Sequence, residues 1–139
     1  MSIAPTVIER LWRWTQAEAP REACGILFGD EHGYFDGCQC VNYAPDPTEE
    51  FWMNPHDLEE PKQRYLHIAL WHSHPTSRAE LSSSDRQVMG RTLLPMVVVA
   101  AKPYPSVVVY GFHQGREIIR TEVYRVERAS DSLMSRSRT

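Results

Sequence analysis

His72 and His74 stand two residues apart, and Asp85 follows eleven residues after the second of them. The segment ahead of the pair, Leu66-His67-Ile68-Ala69-Leu70-Trp71, is apolar and partly β-branched, which predicts a strand. Side chains alternate faces along a strand, so both imidazoles point to one side while Trp71 and Ser73 point to the other. Asp85 lies at the predicted start of a helix, from which it can turn back toward the end of that strand. Two neutral imidazoles and a hard carboxylate oxygen make a donor set for a divalent ion, and zinc suits such a set. Three protein donors leave a fourth position for water, as a hydrolytic site requires.

Each piece also has a purely structural explanation. Histidines two apart in a strand occur for packing alone, and Ser82-Ser83-Ser84-Asp85 matches the capping box that starts many helices. Hydrolysis asks for one more group, a carboxylate that takes a proton from water and passes it to the leaving amine. Glu22 is the best candidate: it follows Pro20 and stands just ahead of the apolar run from Ala23 to Phe28, where a charged group can face a cleft. Position alone is equally compatible with a solvated loop carboxylate.

The elements that must position these groups can be read in order. Val7, Ile8, Leu11, Trp12 and Trp14 recur at mostly helical spacing over residues 6–17, with Pro5 suited to the first turn and Ala19-Pro20 ending the helix. The run from Ala23 to Phe28 predicts a strand buried on both faces. A turn at Asp30 to Gly33 leads into a second strand over residues 34–43, in which Gly37 predicts a bulge. Asn42 to Glu50, with Pro45 and Pro47, is a loop. Asn54-Pro55 opens a second helix ending near Tyr65, interrupted by Pro61. The histidine strand follows, then a loop over residues 75–81 and a third helix from Ser82 or Ser83 to about Thr92. Strands over residues 95–101, 106–112 and 118–126 complete the chain, the last with one face solvated. Helix, two strands, helix, strand, helix and three strands predict an α/β (α+β) domain with one mixed sheet flanked by helices. Residues 1–128 form the expected domain, and residues 129–139, rich in Ser and Arg, the expected disordered tail.

Composition narrows the function classes. A chain of 139 residues, 42% hydrophobic, buries a core without disulfides or a structural metal. A formal charge of −3 and the lack of a basic stripe before the extreme C-terminus argue against nucleic acid. No apolar run reaches the roughly 20 residues that span a bilayer, and the N-terminus lacks the pattern of a signal peptide. The expected address is cytoplasmic. Cys24, Cys38 and Cys40 are an odd number in such a chain, so free strand thiols are expected rather than a disulfide framework.

The run His72-Ser73-His74-Pro75, seven residues from Pro75 to Leu81, then Ser82, two residues and Asp85 resembles the His-x-His-x7-Ser-x2-Asp signature of the JAMM metalloproteases, the catalytically competent MPN domains. Pro20-Arg21-Glu22-Ala23-Cys24-Gly25-Ile26-Leu27-Phe28-Gly29 is similar to that family's segment with the essential glutamate. The likeness runs from the first helix to about Val126 and is closest to the small stand-alone prokaryotic members. It implies an MPN-like, cytidine-deaminase-like domain. It also implies Zn²⁺ held by His72, His74 and Asp85, with Glu22 as general base and then acid and Ser82 as hydrogen-bond donor to the oxyanion. The implied reaction is hydrolysis of a peptide or isopeptide bond after the C-terminal Gly-Gly of a ubiquitin-like or sulfur-carrier protein. That protein is the expected partner, with no nucleic acid, no membrane, and room for a homodimer.

Two other functions compete. One is a non-catalytic MPN-type interaction module, against which the full donor set and Glu22 both count. The other is a JAMM peptidase associated with phage tails or cell walls, which a chain without a second catalytic domain makes a weaker expectation. A zinc deaminase is excluded on pattern, because it needs His-x-Glu followed by Pro-Cys-x-x-Cys.

Overall fold

The computed structural model describes residues 2–126; the tail expected over residues 129–139 and the boundary at 128 lie outside the described residues. Helix α1 spans Pro5–Glu18, with Pro5 in its first turn presetting the helical φ. Strands β1 (Cys24–Asp30) and β2 (Gly33–Cys40) form a hairpin. A 3-10 turn at Pro55–Leu58, capped by the Asn54 side chain on the His56 N–H, runs into α2 (Glu59–Arg64). Pro61 falls in the first turn of α2, where its missing N–H breaks no helical bond. Then come β3 (His67–Arg78), α3 (Ser83–Thr92), β4 (Met96–Lys102), β5 (Ser106–His113) and β6 (Glu117–Arg125). The order of elements is as the sequence predicts.

One six-stranded mixed sheet is ordered β2-β1-β3-β4-β5-β6. Only β3 and β4 run parallel, joined across a face of the sheet by α3. Strand alternation divides the core into two layers. Leu27, Ala69, Trp71, Val97, Val99 and Val107 face α1, whose Val7, Ile8 and Leu11 pack on them. Ile26, Leu70, Met96, Val98 and Val108 face the other side, with Met89 of α3. Full burial of a side chain such as Leu11 is worth roughly 1.5–3 kcal/mol.

Two expectations require correction. Residues 75–78, expected in a loop, belong to β3: the strand continues past the histidines to Arg78, which pairs with Lys102. Pro75 is tolerated because the ladder is irregular between His74 and Arg78, so no bond from its nitrogen is needed. The second strand ends at Cys40, and its bulge lies at Phe35, between the pairs Phe28–Asp36 and Gly29–Tyr34, rather than at Gly37. Gly25 has a clear steric role. A Cβ there would stand 1.9 Å from the Cys38 carbonyl oxygen, the atom to which the Trp71 indole donates at 2.9 Å from across β1. Trp71 in turn stacks on Trp14 of α1 at 5.5 Å between ring centres, tying the helix to the sheet.

Candidate metal centre

Four ionisable side chains, Glu22, His72, His74 and Asp85, are buried together. Their convergence follows from register. Along β3 the even residues Leu70, His72 and His74 share the face toward α3. β1 runs antiparallel to β3 with Cys24 opposite His72, so continuing that register sets Glu22 opposite His74 on the same face. Helix α3 then brings Asp85, the third residue of the helix, over that face.

The donor atoms are close. His72 Nε2 and His74 Nε2 are 3.0 Å apart, and Asp85 Oδ2 lies 3.1 Å from the first and 3.3 Å from the second. Glu22, His72 and His74 each offer a donor atom within 4.8 Å of the others, a group that can hold a metal ion. A tetrahedral zinc with bonds of about 2.0–2.1 Å needs donors about 3.3–3.4 Å apart, so the triangle of His72, His74 and Asp85 is slightly tight and already shaped for the ion. A Glu22 carboxylate oxygen is buried without a hydrogen-bond partner, as is His72 Nδ1. An unpartnered buried carboxylate beside two converging imidazoles is unfavourable unless a cation or its water joins them. The residues present fit zinc.

Neighbouring groups orient the donors. His74 Nδ1 lies 2.7 Å from the Arg78 carbonyl oxygen, which can only accept. The proton of neutral His74 therefore sits on Nδ1, and Nε2 keeps its lone pair for a metal. Four residues of regular strand would carry Arg78 far from His74; the irregularity in β3 folds the carbonyl back. The His72 ring stacks on Phe51 at 4.4 Å. Asp85 takes part in a complete capping box, its Oδ2 accepting from the Ser82 N–H while Ser82 Oγ accepts from the Asp85 N–H. The capping interpretation and the donor interpretation of Asp85 hold together. A serine hydroxyl has lone pairs and one proton, so capping uses Ser82 as an acceptor and leaves its O–H free to donate.

Electrostatics follow the packing. Burial pushes the Glu22 carboxyl up to about 8, opposed by His74 and reinforced by Asp85, Glu49 and Glu50. Burial also opposes ionisation of Asp85, but its bonds to His72, His74 and the Ser82 N–H together hold it well below the usual carboxylate range. Full burial keeps His72 below the ordinary histidine value against the pull of Asp85. His74 is less completely enclosed. Burial depresses it too, but Asp85, the Arg78 carbonyl and Glu22 outweigh that and raise it.

Sequence reasoning passed over two residues that hold Glu22. Asn42 Nδ2 donates to the carbonyls of Glu22 and Glu50, and its Oδ1 accepts from the Ala44 and Trp52 N–H groups. Ser73, on the face away from the histidines, accepts from the Ala23 N–H at 2.8 Å and returns its own N–H to the Ala23 carbonyl. Asn42 closes a loop around the carboxylate segment, and Ser73 clamps it to β3. Asn beside a proline-containing loop is a general turn signal, and nothing in its spacing pointed to Glu22. Cys24, Cys38 and Cys40 are free thiols in β1 and β2, as the sequence predicts. Among the described residues no helix is long and apolar enough to cross a membrane.

Residues 5–112 match the model of a family described as prokaryotic homologs of the JAB domain. Over 95 residues the chain is 32% identical to the tail tip assembly protein K of Escherichia phage N15. That stretch covers 67% of this chain and 38% of the phage protein, so the chain spans well under half of that relative. Among solved structures, a protein from Desulfitobacterium hafniense superposes with a TM-score of 0.66 at 20% identity, covering 87% of this chain and 89% of that one. A protein from Salinibacter ruber superposes with a TM-score of 0.56 at 13% identity, covering 93% and 94%. At these identities the two structures speak to the fold.

Proposed function

This chain belongs to the prokaryotic homologs of the JAB domain, and from that premise we propose that it is a zinc-dependent peptidase or isopeptidase cutting after the C-terminal Gly-Gly of a ubiquitin-like or sulfur-carrier protein. The observation that carries the reading is the convergence of Glu22, His72, His74 and Asp85 in one buried cluster reached from β1, β3 and α3. A scaffold has no use for a buried unpartnered carboxylate beside such a donor set, which counts against a non-catalytic interaction module.

In this reading His72, His74 and Asp85 hold Zn²⁺. The ion would supply a Lewis acid that lowers the pKa of an attacking water to about 7. Glu22 takes the proton of that water and delivers it to the leaving amine. A buried carboxylate beside the donor triangle is placed for both halves of the transfer, accepting a proton and giving it back. Ser82 keeps its O–H free of the cap and donates a hydrogen bond from it to the developing oxyanion. Asn42 and Ser73 fix the segment that carries Glu22, and the Arg78 carbonyl fixes the tautomer of His74.

The test is direct. Zinc-loaded protein is incubated with fusions that extend a Gly-Gly-terminated ubiquitin-like protein, and product masses are read. A new species ending at the second glycine is expected; intact fusions after loading with zinc would overturn the reading.

A second reading comes from the phage relative. Likeness to a tail tip assembly protein over 95 residues supports a peptidase of the same site acting in tail assembly or on a cell-wall component. Cleavage of a cell-wall peptide with the Gly-Gly fusions left intact would favour it.

A further inference from the structure

We infer that Arg78 and Lys102 form a carboxylate-binding site beside the metal centre, selecting peptide substrates with a free carboxylate close to the scissile bond. The substrate class rests on the peptidase reading above; the binding of the anion rests on the geometry.

Arg78 and Lys102 are paired in register at the end of the parallel strands β3 and β4. Like charges side by side on a strand pair repel each other, and an anion between them removes the repulsion. Both side chains are exposed, and among the described residues neither takes part in an ion pair. They line a depression of about 550 Å³ together with His74, Ser82, Thr76 and Glu80. The pocket is thus continuous with one proposed zinc ligand and with the proposed oxyanion donor.

The backbone that carries Arg78 is held by the site itself. The Arg78 carbonyl accepts from His74, and the next carbonyl, that of Ala79, accepts from the buried Tyr110 hydroxyl. The Arg78 side chain therefore leaves a backbone fixed at its own carbonyl and at the next, close to the donor cluster. A planar guanidinium offers two parallel N–H groups to a carboxylate, and a neighbouring ammonium adds a point charge. Glu80 lines the same depression. Two cations against one carboxylate leave one positive charge among these three side chains, which suits a carboxylate monoanion. In a peptide that monoanion is a chain terminus or an acidic side chain.

The test uses the zinc-loaded full chain carrying Glu22→Gln, so that peptides bind without turnover. Three probes are titrated by calorimetry: Gly-Gly-Ala with a free C-terminus, the same peptide as its C-terminal amide, and Gly-Gly-Asp amide. At least one of the two carboxylate-bearing probes is expected to bind about tenfold tighter than Gly-Gly-Ala amide, the order that charge-assisted hydrogen bonds supply. Which one does so distinguishes a chain end from an acidic side chain. Adding Arg78→Gln and Lys102→Gln is expected to abolish the preference. Equal binding of all three probes, no measurable binding of any, or a preference that survives the double substitution and so belongs to the metal would overturn the inference. Turnover of the Gly-Gly fusions by the unsubstituted enzyme is read separately. Preferential binding without cleavage removes the peptidase reading and leaves the site standing; cleavage without carboxylate preference does the reverse.

Discussion

Ser82 and Asp85 are hydrogen-bonded to each other twice, each side chain accepting at 3.0 Å from the other's backbone N–H. The Asp85 oxygen that accepts is Oδ2, the one 3.1 Å from His72 and 3.3 Å from His74. A single carboxylate oxygen thus both starts α3 and completes the donor triangle. The start of the helix and the candidate metal centre are therefore coupled: disturbing the cap displaces Asp85, and an ion in the centre would steady the helix.

Ser82→Ala removes the acceptor for the Asp85 N–H and, in the proposed mechanism, the oxyanion donor. Loss of the cap is expected to lower stability by about 1 kcal/mol, read in urea unfolding. Loss of the donor is expected to lower kcat by about 10²–10³. Ser82→Thr keeps both functions and should retain most of the stability; a Thr variant as unstable as the Ala variant would show that the cap does not depend on the hydroxyl.

The protein is expected to bind about one zinc per chain. His74→Ala should lose it, and Asp85→Asn should bind it more weakly, because the neutral amide is a poorer donor and upsets the cap. Chelation should lower Tm reversibly. At zinc a thousand times above Kd the bound ion adds about 4 kcal/mol, so unchanged Tm on chelation, with mass spectrometry showing no zinc after loading, would remove the metal site.

Glu22→Gln is nearly isosteric and should leave zinc content intact while lowering turnover by about 10²–10⁴, the contribution of a general acid–base group. Metal analysis and single-turnover cleavage of a Gly-Gly fusion check the two halves. Wild-type turnover in this variant would place the base elsewhere.

The same substitution has a pH signature in metal-stripped protein. Folding raises Glu22 from an ordinary 4.5 to about 8, so the native state binds the extra proton between those values. Stability is then lost as pH rises through that window, and the penalty is complete above about 8. Glu22→Gln should stabilise the stripped protein at pH 8 by something on the order of 2 kcal/mol, with the gain shrinking toward pH 4. Asp85 works in the opposite sense. Its folded value is depressed, so its contribution is present above the unfolded carboxylate range and fades as pH falls through the lowered value. Urea denaturation from pH 8 down to well below the ordinary carboxylate range separates the two.

Asn42→Ala leaves four backbone groups without their partner: the carbonyls of Glu22 and Glu50 and the N–H groups of Ala44 and Trp52. A loss of about 1–3 kcal/mol in stability is expected from unpaired buried polar groups. Turnover should fall while zinc content holds, because the Glu22 segment loosens and the donor triangle does not. Zinc loss in this variant would instead show that Asn42 supports the whole centre.

Much of the site was legible because it is written in local periods. The two-residue spacing of His72 and His74 puts both on one face whatever the rest of the strand does, and the three-residue spacing of Ser82 and Asp85 is that of a helix cap. Asn54-Pro55 announced its turn for the same reason, and alternation along the strands announced the two faces of the sheet. Where a tertiary neighbour rewrote the local rule, the reading failed. Pro75 argues for a loop by itself, but the pairing of Arg78 with Lys102 of β4 carries β3 on across an irregular stretch of ladder. Gly37 looks like a bulge, yet the extra residue is Phe35, fixed by how β1 pairs with β2.

The sequence by itself determined the element order, the donor types and their pairwise spacing, since those depend on backbone periodicity and residue chemistry alone. Only the tertiary structure decided that Glu22, fifty residues upstream of His72, is a buried carboxylate beside the histidines rather than a solvated one. The β1–β3 register sets it opposite His74, Asn42 and Ser73 hold it there, and the water it loses on burial raises its pKa toward neutrality. Burial and register are properties of pairs of segments far apart in the chain, and no local pattern encodes them.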